Sequence, residues 1–300
     1  MRRGRKQHTG DEARRENTDA SRGSAGTPGS SAAASRDEEA RVYGLVPVLE
    51  VLRAGSRPVD RITVAEGAQD SRLRELFELA RGRGVLVRRV PRAELQRMAG
   101  GGINHQGVVA TVAAARYVSA DELVERIAAR VGTTEPPLAL VLDGVEDPRN
   151  LGAIIRTAEC AGVHGVFVPE RRAAGLTETV AKAAAGALEY VPVARAGNLA
   201  RLQEELKERG VWTVGTAVRA GVDYTEWDWT NPCAVFLGGE GEGLRRLLRE
   251  RCDVLVSIPL RGRIESLNVS VAAGVILYEA VRQRTARGAA AYTSRVISDE

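Results

Sequence analysis

Five consecutive apolar residues, Leu138-Ala139-Leu140-Val141-Leu142, run without a charge or an alternating polar position and stop at Asp143-Gly144. A run this short and this uniformly apolar suits a strand covered on both faces. Such strands belong to parallel sheets with helices on either side, so an α/β class is expected if strands and helices alternate along the chain that follows. Asp143-Gly144 ends the strand and Asp147-Pro148 bends the chain again, as turn residues do. Leu151, Ile154, Ile155 and Ala158 then recur at the i, i+3, i+4, i+7 positions of a helix, with Asn150 placed to cap it. Residues 138–162 therefore read strand, polar loop, helix, and ligands of an open α/β sheet gather at the carboxyl ends of its strands. Arg156 lies off the apolar stripe, about two turns from that loop.

The same alternation continues to the end of the chain. Strands are expected at 165–168, 190–194, 211–216, 234–237 and 254–258, and helices at 177–188, 199–209, 243–251 and 267–284. A smaller α/β unit precedes them at 41–116. There a helix through Val48, Leu49 and Leu52 is followed by strands at 61–65, 85–90 and 107–113, with helices at 73–80 and 92–98 between them. Ser119-Ala120-Asp121-Glu122 has the form of a capping box that starts a helix, and Pro136-Pro137 closes a linker over 117–137. Residues 1–40 hold almost no large apolar side chains and read as a disordered tail, a solvated extension in preference to a basic arm. The larger unit spans 138–285, and 286–300 reads as a C-terminal tail.

Composition excludes several classes. A hydrophobic content of 44% supplies a proper core, which disorder throughout would not have. The net charge of +4 leans towards a polyanionic partner, but 40 of the 43 basic residues are Arg, a bias that compositional habit can also produce. Cys160, Cys233 and Cys252 form an odd set without CxxC spacing, which argues against a disulfide scaffold or a structural zinc site. No apolar run approaches 18 residues, so no membrane partner is expected and a soluble protein of a reducing cytoplasm is.

Three loops would converge if each follows a strand: 143–150, 237–243 and 258–268. Four glycines stand in the second, Leu237-Gly238-Gly239-Glu240-Gly241-Glu242-Gly243, which suggests backbone close to a ligand. Leu244-Arg245 follows where a phosphate-binding P-loop needs Lys-Ser/Thr, and the dinucleotide pattern GxGxxG is absent. Glycine with two carboxylates suits a nucleoside carrying a positive charge better than a phosphate. A tight turn with Glu240 as solvated cap, and Ser266 as cap of the last helix, are the purely structural alternatives. Asn268 is expected inside the first turns of that helix, where a short amide is disfavoured without a task. In the smaller unit Arg81, Arg83, Arg88, Arg89 and Arg92 crowd together and either meet phosphates or are solvated singly. The run 100–107, ending His105-Gln106-Gly107, reads as a turn.

DPRNLGAIIRTAECAG, LGGEGEGL and SIPLRGRIESLNVSVAAGVILYEAVRQR resemble, in order, the three motifs of the SpoU (TrmH) family of RNA ribose 2′-O-methyltransferases. The unit before them, with Tyr43-Gly44 and His105-Gln106-Gly107, resembles the RNA-binding domain of the branch that modifies guanosine in bacterial 23S rRNA. The resemblance implies a parallel sheet ending in a trefoil knot, a homodimer, and S-adenosylmethionine bound on the backbone of Gly238, Ile258 and Leu267. It implies Asn150, Arg156, Glu240, Ser266 and Asn268 as the catalytic set. Arg156 is expected to stabilise developing alkoxide charge rather than take a proton, since a guanidinium does not deprotonate in proteins. Glu240 would orient Asn150 or Arg156, while Ser266 and Asn268 fix cofactor and ribose. The rival readings are a tRNA ribose methyltransferase, a non-catalytic RNA-binding assembly factor and a nucleotide-dependent oxidoreductase.

Overall fold

The computed structural model describes residues 39–68, 71–100, 103–239, 241 and 243–298, with side chains to residue 287. Most of the stretch read as a tail lies outside these residues, but its last two belong to a strand, β1 (Glu39–Tyr43). Then follow α1 (Leu45–Ala54), β2 (Val59–Ala65), α2 (Leu73–Gly82), β3 (Leu86–Val90), α3 (Arg92–Ala99) and β4 (Val108–Ala113). They form a four-stranded sheet ordered β1-β4-β2-β3, in which β4 runs antiparallel to both neighbours and β2 and β3 are parallel. β1 escapes a reading from pattern because it is an edge strand with only Val42 and Tyr43 buried. The residues singled out at the two ends of this unit meet at one seam. Gly44 N donates to Val108 O, and the buried His105 Nδ1 accepts from Gly107 N at 3.0 Å. The arginine cluster is partly engaged within the protein: Arg88 pairs with Glu94, Arg83 donates to Arg53 O and Arg89 lies over the Phe77 ring.

The larger unit begins with α4 (Ala120–Ala128), β5 (Leu138–Asp143), α5 (Pro148–Cys160), β6 (Gly165–Pro169), α6 (Glu178–Ala184) and β7 (Val193–Ala196). It continues with α7 (Leu199–Glu208), β8 (Trp212–Thr216), β9 (Val222–Asp223), β10 (Cys233–Gly238), α8 (Arg246–Arg251), β11 (Val254–Ser257) and α9 (Val269–Ser298). Seven parallel strands lie in the order β7-β6-β5-β10-β8-β11-β9. The central strand β5 is buried at every position. Leu138, Leu140 and Leu142 pack with α5, α6 and α9, while Ala139 and Val141 pack with α4, α7 and α8. The sheet is thus covered on both faces, as the unalternated strand requires.

Several boundaries move for local reasons. Ala185 and Gly186 both have positive φ and break the helix expected over 177–188 into α6 and a short 3-10 turn, Ala187–Glu189, so β7 starts late. Gly239 bridges to Gly243, and α8 starts only at Arg246. The helix expected over 267–284 starts at Val269 and runs to Ser298. The connection over 117–137 carries part of the core, since Leu123, Val124 and Ile127 are buried against the larger sheet. Two acids dock the smaller unit onto the larger. Glu178 on α6 accepts from Tyr43 Oη at 3.1 Å, and Glu189 pairs with Arg57 at 2.6 Å with both side chains nearly buried. Among the described residues no helix is long and apolar enough to cross a membrane.

Candidate active site

The loops after β5, β10 and β11 meet at one edge of the larger sheet because their strands are parallel and the carboxyl ends of β5 and β10 are in register, Gly238 beside Asp143. A backbone hydrogen bond ties the start of the glycine turn to the end of β5. Gly239 N donates to Asp143 O at 2.7 Å, and Gly239 bridges back to Gly243. A Cβ on Gly238 would stand 1.9 Å from the carbonyl carbon of Gly243, and one on Gly239 would stand 1.9 Å from Gly144 O. Gly241 and Gly243 have φ of 96° and 66°, values that favour glycine. Close contacts inside the protein therefore account for Gly238 and Gly239, and left-handed backbone accounts for Gly241 and Gly243.

Asp143 anchors the exit of the turn. Its buried carboxylate accepts from Arg245 N at 3.0 Å and from Arg245 Nε at 2.7 Å. This pair went unread in the sequence, although a carboxylate closing a wholly buried strand signals the need for a donor.

Asn150 is not the helix cap. Asp147 caps α5 by accepting from Arg149 N at 2.7 Å, with Pro148 at the first position, and this leaves Asn150 in the first turn and buried. Its Oδ1 accepts from Asn268 Nδ2 at 3.1 Å. Asn268 in turn is the cap of α9 rather than an interior residue: its Oδ1 accepts from Ser270 N at 2.9 Å and from Ser270 Oγ at 2.6 Å. Ser266 is exposed and does not cap. One amide thus ties the first loop to the third.

A cleft of about 1090 Å³ opens between the glycine turn and the loop after β11. Gly238, Ile258, Ser266, Leu267 and Asn268 all line it. A second hollow of about 580 Å³, lined by Asn150, Glu146, Arg171 and Arg172, shares Gly239, Gly243 and Val269 with the cleft. The cleft is large enough for a nucleoside-sized ligand. Leu237, Ile258 and Leu260 give it an apolar wall, and its polar edge comes from Ser266 and Asn268 together with the charged residues Arg219, Arg249, Arg263 and Glu265. Arg156 is not brought to either space. It is exposed, six residues beyond Asn150 on α5, about 9 Å along the axis and about 240° around it. Glu240 lies outside the described residues.

Thiol chemistry is not prepared here. Burial pushes Cys233 up to about 11 and Cys252 up to about 12, and Cys160 is raised by burial and by Glu159. Among the described residues no cluster of His, Cys, Asp or Glu could hold a metal ion. The arrangement offers backbone, amides, a hydroxyl and several charged side chains around a half-apolar cleft, suited to binding and orienting a ligand.

Known proteins place this architecture. The profile of the SpoU rRNA Methylase family matches residues 137–278, and that of RNA 2′-O ribose methyltransferase substrate binding matches residues 41–118. A putative TrmH family tRNA/rRNA methyltransferase, YacO of Bacillus subtilis, is 45% identical over 82% of this chain and 97% of its own. The chain belongs to the SpoU rRNA methylase family. Another SpoU relative, the 23S rRNA (guanosine-2′-O-)-methyltransferase RlmB of Ralstonia nicotianae, is 47% identical over 81% of this chain and 96% of its own. Among solved structures, the SpoU methyltransferase AviRb from Streptomyces viridochromogenes, in complex with the cofactor AdoMet, superposes with a TM-score of 0.66. It is 29% identical over 83% of this chain and 91% of that one.

Proposed function

We propose that this SpoU-family chain transfers the methyl group of S-adenosylmethionine to the ribose 2′-hydroxyl of a guanosine in 23S rRNA. The observation that carries the reading is the Asn268–Asn150 hydrogen bond at the rim of the cleft. It joins the start of the last helix to the first motif beside the glycine turn. When bound, S-adenosylmethionine supplies a methyl group already activated on a sulfonium. The chain's task is then to hold the 2′-hydroxyl in line and to stabilise the charge that develops as its proton leaves. Backbone of Gly238, Ile258 and Leu267 would hold the cofactor, with Ser266 beside it, and the Asn150–Asn268 pair would hold the ribose. The name of the AviRb complex and those of the RlmB relatives support cofactor and substrate alike.

A homodimer belongs to the same reading. Leu267, just before α9, and Val271 and Tyr278 on it form an exposed apolar row, 39%, 51% and 52% exposed. This row flanks α5, whose Thr157 packs against Gly274. A second copy covering it would bring Arg156 of one chain towards the cleft of the other, where a guanidinium stabilises alkoxide charge and holds the adjacent phosphate. The proton would pass to phosphate or water. The knotted C-terminal segment and a cytoplasmic setting complete the proposal.

Calorimetry decides the cofactor, with S-adenosylmethionine expected to bind and NAD not. Label transfer to purified RNA decides the substrate: 23S rRNA should be methylated, and methylation of tRNA alone would reverse that choice.

A further inference from the structure

Two guanidinium groups beside the site have no part in the chemistry above. Arg171 and Arg172 follow β6, line the smaller hollow with Asn150, and are exposed. Among the described residues neither has an ion-pair or hydrogen-bond partner, whereas Arg245 in the same hollow is spent on Asp143. Their loop is pinned at both ends. Glu170 N donates to Ala196 O, and the buried Ala174 donates to Val145 O at 3.0 Å, tying the loop to the connection that leads to Asn150. Arg172 has a φ of 59°, a left-handed conformation strained for a long side chain. Strain of this kind at a pinned loop beside a site points to a task for the side chain.

We propose that Arg171 and Arg172 hold the second RNA phosphate flanking the target ribose, on the side away from the one given to Arg156, so that the smaller hollow seats the target nucleotide. This rests on the reading of the cleft as a ribose methylation site and deepens it. Paired planar forks match phosphate oxygens. Glu146 on the same wall disfavours a free anion but accepts from base N–H groups, so a nucleotide suits the hollow better than bare phosphate.

The test measures steady-state methylation of an unmodified 23S rRNA transcript. The variant is Arg171→Ala with Arg172→Gly, since glycine accepts the left-handed backbone. Its KM for RNA should rise at least tenfold, with kcat within about twofold and the S-adenosylmethionine Kd unchanged. The log KM against log salt slope should fall by about 0.7 for each phosphate that the variant no longer neutralises. Arg126→Ala with Arg209→Ala removes the same charge where α4 meets α7 and should leave KM unchanged. An unchanged KM in the first variant, or an equal rise in the second, would overturn the proposal. If the first variant also loses cofactor binding, Arg171→Gln with Arg172→Gln, which keeps the length of the side chains and removes their charge, decides. A raised RNA KM at normal cofactor affinity supports the assignment, and a normal KM refutes it. Wild-type protein that binds no S-adenosylmethionine or methylates no RNA would instead refute the reading of the cleft.

Discussion

The side chain of Asn268 accepts from Ser270 through its oxygen and donates to Asn150 through its nitrogen, so capping and site geometry are separable by substitution. Asn268→Asp keeps the acceptor that caps α9 but loses the donor. Stability should stay within about 0.5 kcal/mol of wild type while turnover falls at least tenfold, whereas Asn268→Ala should also lose about 1 kcal/mol of helix capping. Urea midpoints read against methyl transfer distinguish the two. At Gly239, 1.9 Å from a Cβ to Gly144 O leaves no relaxation short of moving backbone. Gly239→Ala should therefore weaken S-adenosylmethionine binding more than tenfold by calorimetry, and unchanged affinity would show that the turn does not shape the cleft. The sequence named residues of this site through its motifs, yet it misassigned their geometry. Asp147 is the cap where Asn150 was expected, and Asn268 caps where an interior position was expected. The Asp143–Arg245 pair was not legible, because its members stand 102 positions apart and only the pairing of β5 with β10 brings them together.

Elements of the larger sheet were the most legible, because burial on both faces leaves uninterrupted apolar runs. Short edge strands such as β9 have too few residues to show a pattern. How strand β5 starts was not legible either, since it depends on a histidine from the next loop. His164 Nδ1 accepts from Leu138 N at 3.1 Å, and His164 N donates to Leu138 O at 2.8 Å. Burial, reinforced by Arg130, lowers the imidazole below its ordinary 6.5. The unfolded chain then takes up a proton before the folded one does as pH falls. Stability is full above about pH 6.5 and is lost on the way down towards the folded value. Melting temperature should drop between pH 7.5 and 5.5, and His164→Asn, which keeps an acceptor but no titration, should drop less. His105, also lowered by burial and by Arg92, remains as a common background. Equal drops in both proteins would exclude His164 as the cause.

At the scale of the whole molecule, the smaller unit rests on the larger through Glu178 and Glu189, and the apolar row along α9 is exposed, where the proposed second copy would sit. None of this could be read from one chain's periodicity, because a docking surface is defined by what covers it. Arg156 is the sharpest case: within one chain it is exposed and away from the cleft, so the role proposed for it rests on the proposed second copy. Mixing subunits tests that dependence. Heterodimers of an Arg156→Ala chain with an Asn150→Ala chain should regain about half of wild-type activity, because one of two sites is then complete. Inactive heterodimers would place Arg156 in the service of its own chain, and an Arg156→Ala homodimer as active as wild type would show that it serves neither. The central claim is tested most directly by incubating an unmodified 23S rRNA transcript with this protein and methyl-labelled S-adenosylmethionine, then digesting the RNA to nucleosides for mass spectrometry. The account predicts label in a single 2′-O-methylguanosine. Label on a base, or none from protein that binds the cofactor, would contradict it.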